Sequence, residues 1–486
     1  MKHTLLFLAF LILSVSLSAQ TAPGLTEKLD AWARQVAENG WHGSALVASG
    51  GTVLLENGYG LADRESGRRQ SAETVFSVGS ITKQFTAAAI MKLESQGKLL
   101  LDDPLSKYFP GAPADKAPVT IHQLLTHSAG FPGAIGDDYE NVDAAAFARL
   151  ALGEPLMNPP GKTYEYSNVG YSLLGIIVEK VSGTGYEQFL REQLWLPAGM
   201  TRTGYLLPKF DKSALAVGYR NGQRWGAALD RPWLPDGPGW HLRANGGVLS
   251  TAGDMYRWYL ALANNTVLPK TATDKMFTPH IAEGPDAQSF YGYGWVVQEL
   301  DGQRAIWHNG GNGVYNAFMG FEPATGACIV VSSNSNNKIS DELALQLHAI
   351  LKGKDPARIV LQGPGEADYR DNPVTEAIHR VILEKGAAYF TQNSRKVLED
   401  AGFDFDNDMQ LLGVGERLEE AEKWEEGIAL FDTYTQLFPR IVVAWNRLGK
   451  CREAKGDKAG ARAAWEKSVA LRPNNNPAAQ WLKRLE

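Results

Sequence analysis

The stretch Phe76-Ser77-Val78-Gly79-Ser80-Ile81-Thr82-Lys83-Gln84-Phe85 decides how the rest of this chain is read. It runs on through Thr86-Ala87-Ala88-Ala89-Ile90-Met91 to a stop at Gly97. The pattern predicts a helix starting near Ser80 that is apolar nearly all round, and therefore interior, with Ser80 and Lys83 one turn apart on one face. An unpaired ammonium in a core is strongly unfavourable, so such a lysine needs partners or a lost proton. A hydroxyl beside it is a candidate nucleophile. Found alone, S-x-x-K is more often an ordinary N-cap and a lysine reaching for solvent than a catalytic pair.

Two further stretches give the motif its weight. Tyr166-Ser167-Asn168 follows Pro159-Pro160-Gly161 and precedes a predicted helix from about Gly170 to Val181, which sets Tyr166 and Asn168 on a loop at a helix entrance. His308-Asn309-Gly310-Gly311 lies at the edge of a predicted strand. Between them stand Leu124-Leu125-Thr126-His127-Ser128-Ala129-Gly130, a short helix capped by Thr120 and stopped by Gly130, and Gly246-Gly247-Val248-Leu249-Ser250-Thr251. In this order, over roughly residues 25 to 350, the chain resembles the serine β-lactamase-like superfamily, which includes class C β-lactamases, D-alanyl-D-alanine carboxypeptidases and family VIII carboxylesterases.

The resemblance implies that Ser80 is the acylated nucleophile, Lys83 its activating partner and Tyr166 the general base. Asn168 would be a ligand for the substrate's acyl side or for Lys83, and the backbone N–H of Gly311 a second oxyanion donor beside that of Ser80. His308 stands where lactamases usually carry lysine. A histidine is only partly charged near neutral pH, so a substrate carboxylate loses a fixed positive partner and β-lactam hydrolysis is expected to be weak or absent. Gly310 and Gly311 permit close approach of substrate. Ser167 reads as a spacer, and His127 as part of the structural wall.

The chemistry needs a base for the serine hydroxyl, and the residues leave two open. A cationic Lys83 about 4 Å from Tyr166 would favour the phenolate by about 4 kcal/mol at an effective dielectric of 20. A neutral Lys83 would itself accept the proton if burial depresses its pKa.

The 486 residues exceed one ordinary core, and the formal charge of -6 gives no basic footprint for nucleic acid. Residues 1–19, with Lys2, an apolar run from Leu5 to Leu13 and a small-residue end at Ala19, read as a signal peptide, so a periplasmic or secreted location is expected, with no membrane span after its removal. The two cysteines, Cys328 and Cys451, read as buried thiols. No cofactor or metal is expected, because H-E-x-x-H is absent and Asp404-x-Asp406-x-Asp408 lacks the glycine and glutamate of a calcium loop. The G-x-S-x-G elbow of α/β-hydrolases is also absent.

A strand pair at Ser44–Ser49 and Thr52–Glu56, helices between, and strands over Tyr291–Val297, Ala305–Gly311, Asn316–Phe321 and Ala327–Ser332 predict a mixed α/β domain over 20–352 with an antiparallel sheet flanked by helices. A linker over 353–373 leads to an all-α domain over 374–486. There Gly415 and Gly449, and Phe431 and Trp465, are each 34 residues apart, the tetratricopeptide period, giving two repeats at about 411–444 and 445–478. Two repeats would lean on a helix over Thr375–Gln392 or on the first domain. The reading is a serine hydrolase acting on small-molecule or peptide esters and amides, with the repeats offering a groove to a protein or peptide partner. The rival is an inert lactamase-like binding protein held to its partner by those repeats.

Overall fold

The computed structural model describes residues 24–220, 223–284, 288–300, 302–335, 339–354, 373–403, 405, 409–471 and 476–485. The segment read as a signal peptide, nearly all of the expected linker and Asp404, Asp406 and Asp408 lie outside the described residues. Among the described residues no helix is long and apolar enough to cross a membrane, and no group of three or more His, Cys, Asp or Glu is placed to hold a metal.

An antiparallel sheet of eight strands organises the first domain, in the spatial order Thr52–Tyr59, Gly43–Ser49, Ala327–Ser333, Asn316–Glu322, Gln303–Gly311, Val296–Leu300, Ser289–Tyr291, Ile281–Ala282. The first hairpin therefore joins the last strands, with Leu46 opposite Val330 and Val47 opposite Ile329. Alternation along these strands sends side chains to opposite faces. Leu46, Met319 and Val330 face a large core built around the helix Thr82–Ser95. Ala45, Val47, Ile329 and Val331 face a second core closed by the helices Leu25–Glu38 and Ile339–Leu351. The expected strand Tyr291–Val297 is two strands, because Gly292 donates to the Trp295 carbonyl and Gly294 takes φ 77°, turning the chain back on itself.

The helix carrying Lys83 is buried on every side, from Thr82 through Met91. It begins two residues later than expected. Gly79–Ile81 form a 3₁₀ turn, and Gly79 takes φ 53°, a conformation open to glycine without steric cost. The Thr82 hydroxyl accepts from the Val248 N–H, and Phe76–Ser77 pair with Leu249–Ser250, so the Gly246–Thr251 stretch is stitched to the start of that helix.

The C-terminal part is helical throughout its described residues. Helices Met409–Glu420, Trp424–Leu437, Val442–Ala454 and Lys458–Leu471 follow a long segment, Pro373–Asp400, that departs from helical geometry at Gly386 and Asn393 rather than ending near Gln392. Ile378, Ile382, Phe390 and Leu398 of that segment share a core with Leu411, Leu430 and Phe431. The 34-residue period has a physical cause. A Cβ on Gly415 would fall 2.1 Å from the Phe431 ring, and a Cβ on Gly449 would fall 2.1 Å from the Trp465 indole nitrogen. Each glycine lets an aromatic from the next helix press onto its backbone. Cys328 and Cys451 are both buried and free.

Candidate active site

Ser80, Lys83, Tyr166, Asn168, His308, Gly310 and Gly311 come together where the buried helix meets the sheet. Ser80 and Tyr166 open onto a cleft of about 480 Å³, lined also by Tyr164, Glu283, Tyr291 and His308. Lys83 is fully buried. Its Nζ lies 3.1 Å from Ser80 Oγ, 2.7 Å from Asn168 Oδ1 and 2.9 Å from the Asn245 carbonyl oxygen. It also stands 4.7 Å above the centre of the Tyr166 ring. Asn168 is thereby a ligand of Lys83, one of the two roles the resemblance left open.

Local structure explains how these groups are held. Asn168 is the first residue of the helix Asn168–Ser182, whose N-terminus Ser167 caps by accepting from Gly170 N–H at 3.0 Å. Ser167 also donates to the Pro132 carbonyl at 2.8 Å, so it is an anchoring cap and not a spacer. The backbone N–H of Asn168 donates to Gly133 O, which ties the loop after Phe131 to the site.

Burial sets the electrostatics. It depresses the Lys83 ammonium well below the usual lysine value, with Asp138 opposing from nearby. It raises the Tyr166 phenol, and a hydrogen bond with the Ser80 hydroxyl only partly offsets this. Both groups are thus driven toward their neutral forms.

His308 departs from its expected partial charge for the same reason. Its Nδ1 lies 2.6 Å from the Asn309 carbonyl and so carries the proton, while Nε2, 3.0 Å from the Tyr291 hydroxyl, accepts. Burial pushes its pKa down to about 3. The ring is neutral near pH 7. Asn309 turns its amide to Asp341 at 3.2 Å.

The two glycines of the edge strand lie against the nucleophile's backbone. A Cβ on Gly310 would fall 2.0 Å from the Val78 carbonyl oxygen and 2.8 Å from the Ser80 nitrogen. A Cβ on Gly79 would fall 2.6 Å from the Gly311 nitrogen. No side chain fits at either place, so the Ser80 and Gly311 amides share one corner of the cleft.

Several participants escaped sequence reading. The Asn245 contact is made by a backbone carbonyl, which has no residue signature, although it immediately precedes the Gly246–Thr251 stretch. In the sequence Tyr291 reads only as the first residue of a strand. Tyr164 donates to Glu283 at 3.1 Å across the cleft wall, a pairing that 119 positions of chain separate.

The comparisons with known proteins bear on the family and the fold. The family model described as Beta-lactamase matches residues 29–352, and a tetratricopeptide-repeat model matches residues 442–475. PbpX of Bacillus subtilis, provisionally named a penicillin-binding protein, is 32% identical over 260 residues, which is 54% of this chain and 63% of that one. The chain thus spans a little under two thirds of that relative. Another Bacillus subtilis penicillin-binding protein is 28% identical over 393 residues, 74% of this chain and 84% of the relative. The solved octameric penicillin-binding protein homologue from Pyrococcus abyssi superimposes with a TM-score of 0.59 at 29% identity, over 72% of this chain and 81% of its own. The fold and the matched span together make this chain a member of the beta-lactamase family of serine hydrolases, with a tetratricopeptide repeat near its C-terminus.

Proposed function

We propose that this protein is a serine hydrolase that forms an acyl-enzyme on Ser80 and cleaves esters or amides, in the manner of esterases and D-amino-acid peptidases. One observation carries the reading: Lys83 Nζ touches Ser80 Oγ and two carbonyl oxygens, those of Asn168 and Asn245. A neutral amine in that setting donates its two N–H bonds to the carbonyls, which leaves its lone pair aimed at the serine hydroxyl. The depressed lysine and raised phenol favour Lys83 over Tyr166 as the group that takes the serine proton.

In acylation Ser80 Oγ bonds to the substrate carbonyl carbon as its proton passes to Lys83. The alkoxide that develops is met by the Ser80 and Gly311 N–H groups. The leaving alcohol or amine takes a proton from the Tyr166 phenol, which Lys83 replenishes. Water then attacks the ester, gives a proton to the same pair, and Ser80 departs as a free hydroxyl. With His308 neutral, the cleft has no fixed cation at the position where lactamases carry lysine, which supports weak turnover of β-lactams and of other substrates recognised by a carboxylate there.

The apolar run near the N-terminus supports export to the periplasm or outside, and the helical repeats support a protein or peptide partner for the C-terminal part. The test is a panel of p-nitrophenyl esters, D-Ala-D-Ala peptides and nitrocefin with wild type and Ser80→Ala. The reading expects ester or peptide turnover that Ser80→Ala abolishes, with nitrocefin turned over poorly. Strong nitrocefin turnover, or activity that survives Ser80→Ala, would contradict it.

A further inference from the structure

His127 takes no part in the chemistry above, yet it is the most constrained side chain beside it. The helix Ile121–Leu125 ends with the Ser128 N–H donating to Gln123 O at 2.9 Å and the His127 N–H to Leu124 O at 3.4 Å. This is the paired closure of a helix by a left-handed residue, a position glycine usually fills. Here histidine fills it, with φ 56°. Gly130, the expected stop, lies beyond.

A histidine in that conformation costs stability relative to glycine. Its surroundings add a second cost. The ring is 1% exposed, and Nδ1 accepts from the Ser167 N–H at 3.0 Å, so the proton sits on Nε2. That Nε2–H has no hydrogen-bond partner among the described residues. The imidazole is packed among the rings of Tyr164, Tyr171 and Tyr291, with centroids 5.8, 4.9 and 4.6 Å from its own. A phenylalanine would fill the same cage without stranding a donor. Packing alone therefore does not account for a histidine here.

What the histidine does gain is a grip on one residue from three directions. Its carbonyl accepts from the Glu165 N–H at 2.7 Å, its Nδ1 from the Ser167 N–H, and its ring packs 4.3 Å from the centre of the Tyr166 ring at 37°. The two hydrogen bonds bracket Tyr166 on both sides of its backbone. We infer that His127 is a positioning residue that fixes the Tyr166 phenol against Ser80, acting on turnover through Tyr166 without touching substrate. This rests on the role proposed above for Tyr166.

The experiment compares His127→Gly with His127→Asn in the full chain, alone and combined with Tyr166→Phe, reading kcat and KM on an unactivated alkyl ester, whose alkoxide leaving group must take a proton. Glycine and asparagine both tolerate the left-handed backbone, but only asparagine offers an acceptor oxygen at the place of Nδ1. His127→Gly is expected to lower kcat by about 10- to 100-fold with KM within about twofold, and His127→Asn to recover most of that loss. In the Tyr166→Phe background the two substitutions should cost nothing further.

Equal kcat in the glycine and asparagine variants, or an undiminished loss in the Tyr166→Phe background, would overturn the inference, as would a His127→Gly enzyme as fast as wild type. If one variant fails to fold, the other alone still decides. A folded glycine variant must be slow, and a folded asparagine variant must stay near wild-type kcat. Failure of the underlying reading looks different, because Tyr166→Phe by itself would then leave kcat unchanged.

Discussion

Lys83 Nζ and Asn168 Oδ1 lie 2.7 Å apart, the shortest of the three contacts that hold the buried amine. The amide oxygen accepts from the amine without placing a negative charge beside it. It fixes the lone pair on Ser80 while leaving the lysine free to lose its proton.

Replacing that amide by a carboxylate tests this directly. Asn168→Asp would hold the Lys83 ammonium and raise its pKa by about one to three units. Because the base must be neutral, activity falls as pH drops through that pKa. The acid limb of the kcat/KM profile should therefore move to higher pH by a similar amount, with activity partly regained in alkali. An acid limb that stays in place would show that Lys83 is not the titrating base.

His308 makes a prediction about stability. Its folded pKa is about 3 against about 6.5 for histidine in the unfolded chain, so the unfolded chain binds the extra proton between those values. The contribution is complete above pH 6.5 and is lost as pH falls toward 3. Between pH 6.5 and pH 5 it amounts to roughly 2 kcal/mol, at 1.36 kcal/mol per pH unit. Thermal melts should show wild type losing more stability over that interval than His308→Asn, whose side chain does not titrate. Parallel losses would mean that the ring is solvated or charged in the native protein.

Gly310→Ala should strike the oxyanion corner. Its Cβ would meet the Val78 carbonyl oxygen at 2.0 Å and the Ser80 nitrogen at 2.8 Å, and both are backbone atoms that cannot swing aside. Displacing one fixed N–H donor costs about 10²- to 10³-fold in kcat. The expected result is a loss of that order with KM little changed. A variant with wild-type kcat would remove these amides from the mechanism.

The repeats answer to a separate substitution. Gly449→Ala would drive a methyl group into the Trp465 indole at 2.1 Å, and Gly415→Ala into Phe431 at the same distance. Overpacking of this kind costs about 1 to 3 kcal/mol. Each should lower the melting transition of the C-terminal helices, followed by proteolysis, while ester turnover at Ser80 stays within about twofold.

Much of this was legible in the sequence because the signals are periodic or local. A run after Ser80 that is apolar nearly all round marked an interior helix, alternation marked the strands that carry His308, and the pairing of Gly415 with Phe431 repeats as Gly449 with Trp465. What stayed hidden depends on distant partners or on the backbone. The charge of His308 is set by burial and by the Tyr291 hydroxyl on another strand. The third contact of Lys83 is a main-chain carbonyl, which every residue possesses. Ser167 looked like a spacer because its acceptor, the Pro132 carbonyl, is 35 positions away. Gly294 ended a strand early, a turn that the apolar run across it concealed.

Covalent chemistry on Ser80 is the claim on which the mechanism stands, and mass spectrometry reads it most directly. After incubation with a fluorophosphonate, wild type should gain one phosphonyl mass, mapped by peptide digestion to Ser80, while Ser80→Ala and Lys83→Ala gain none at that rate. An adduct on another residue, or equal labelling of Ser80→Ala, would contradict the account.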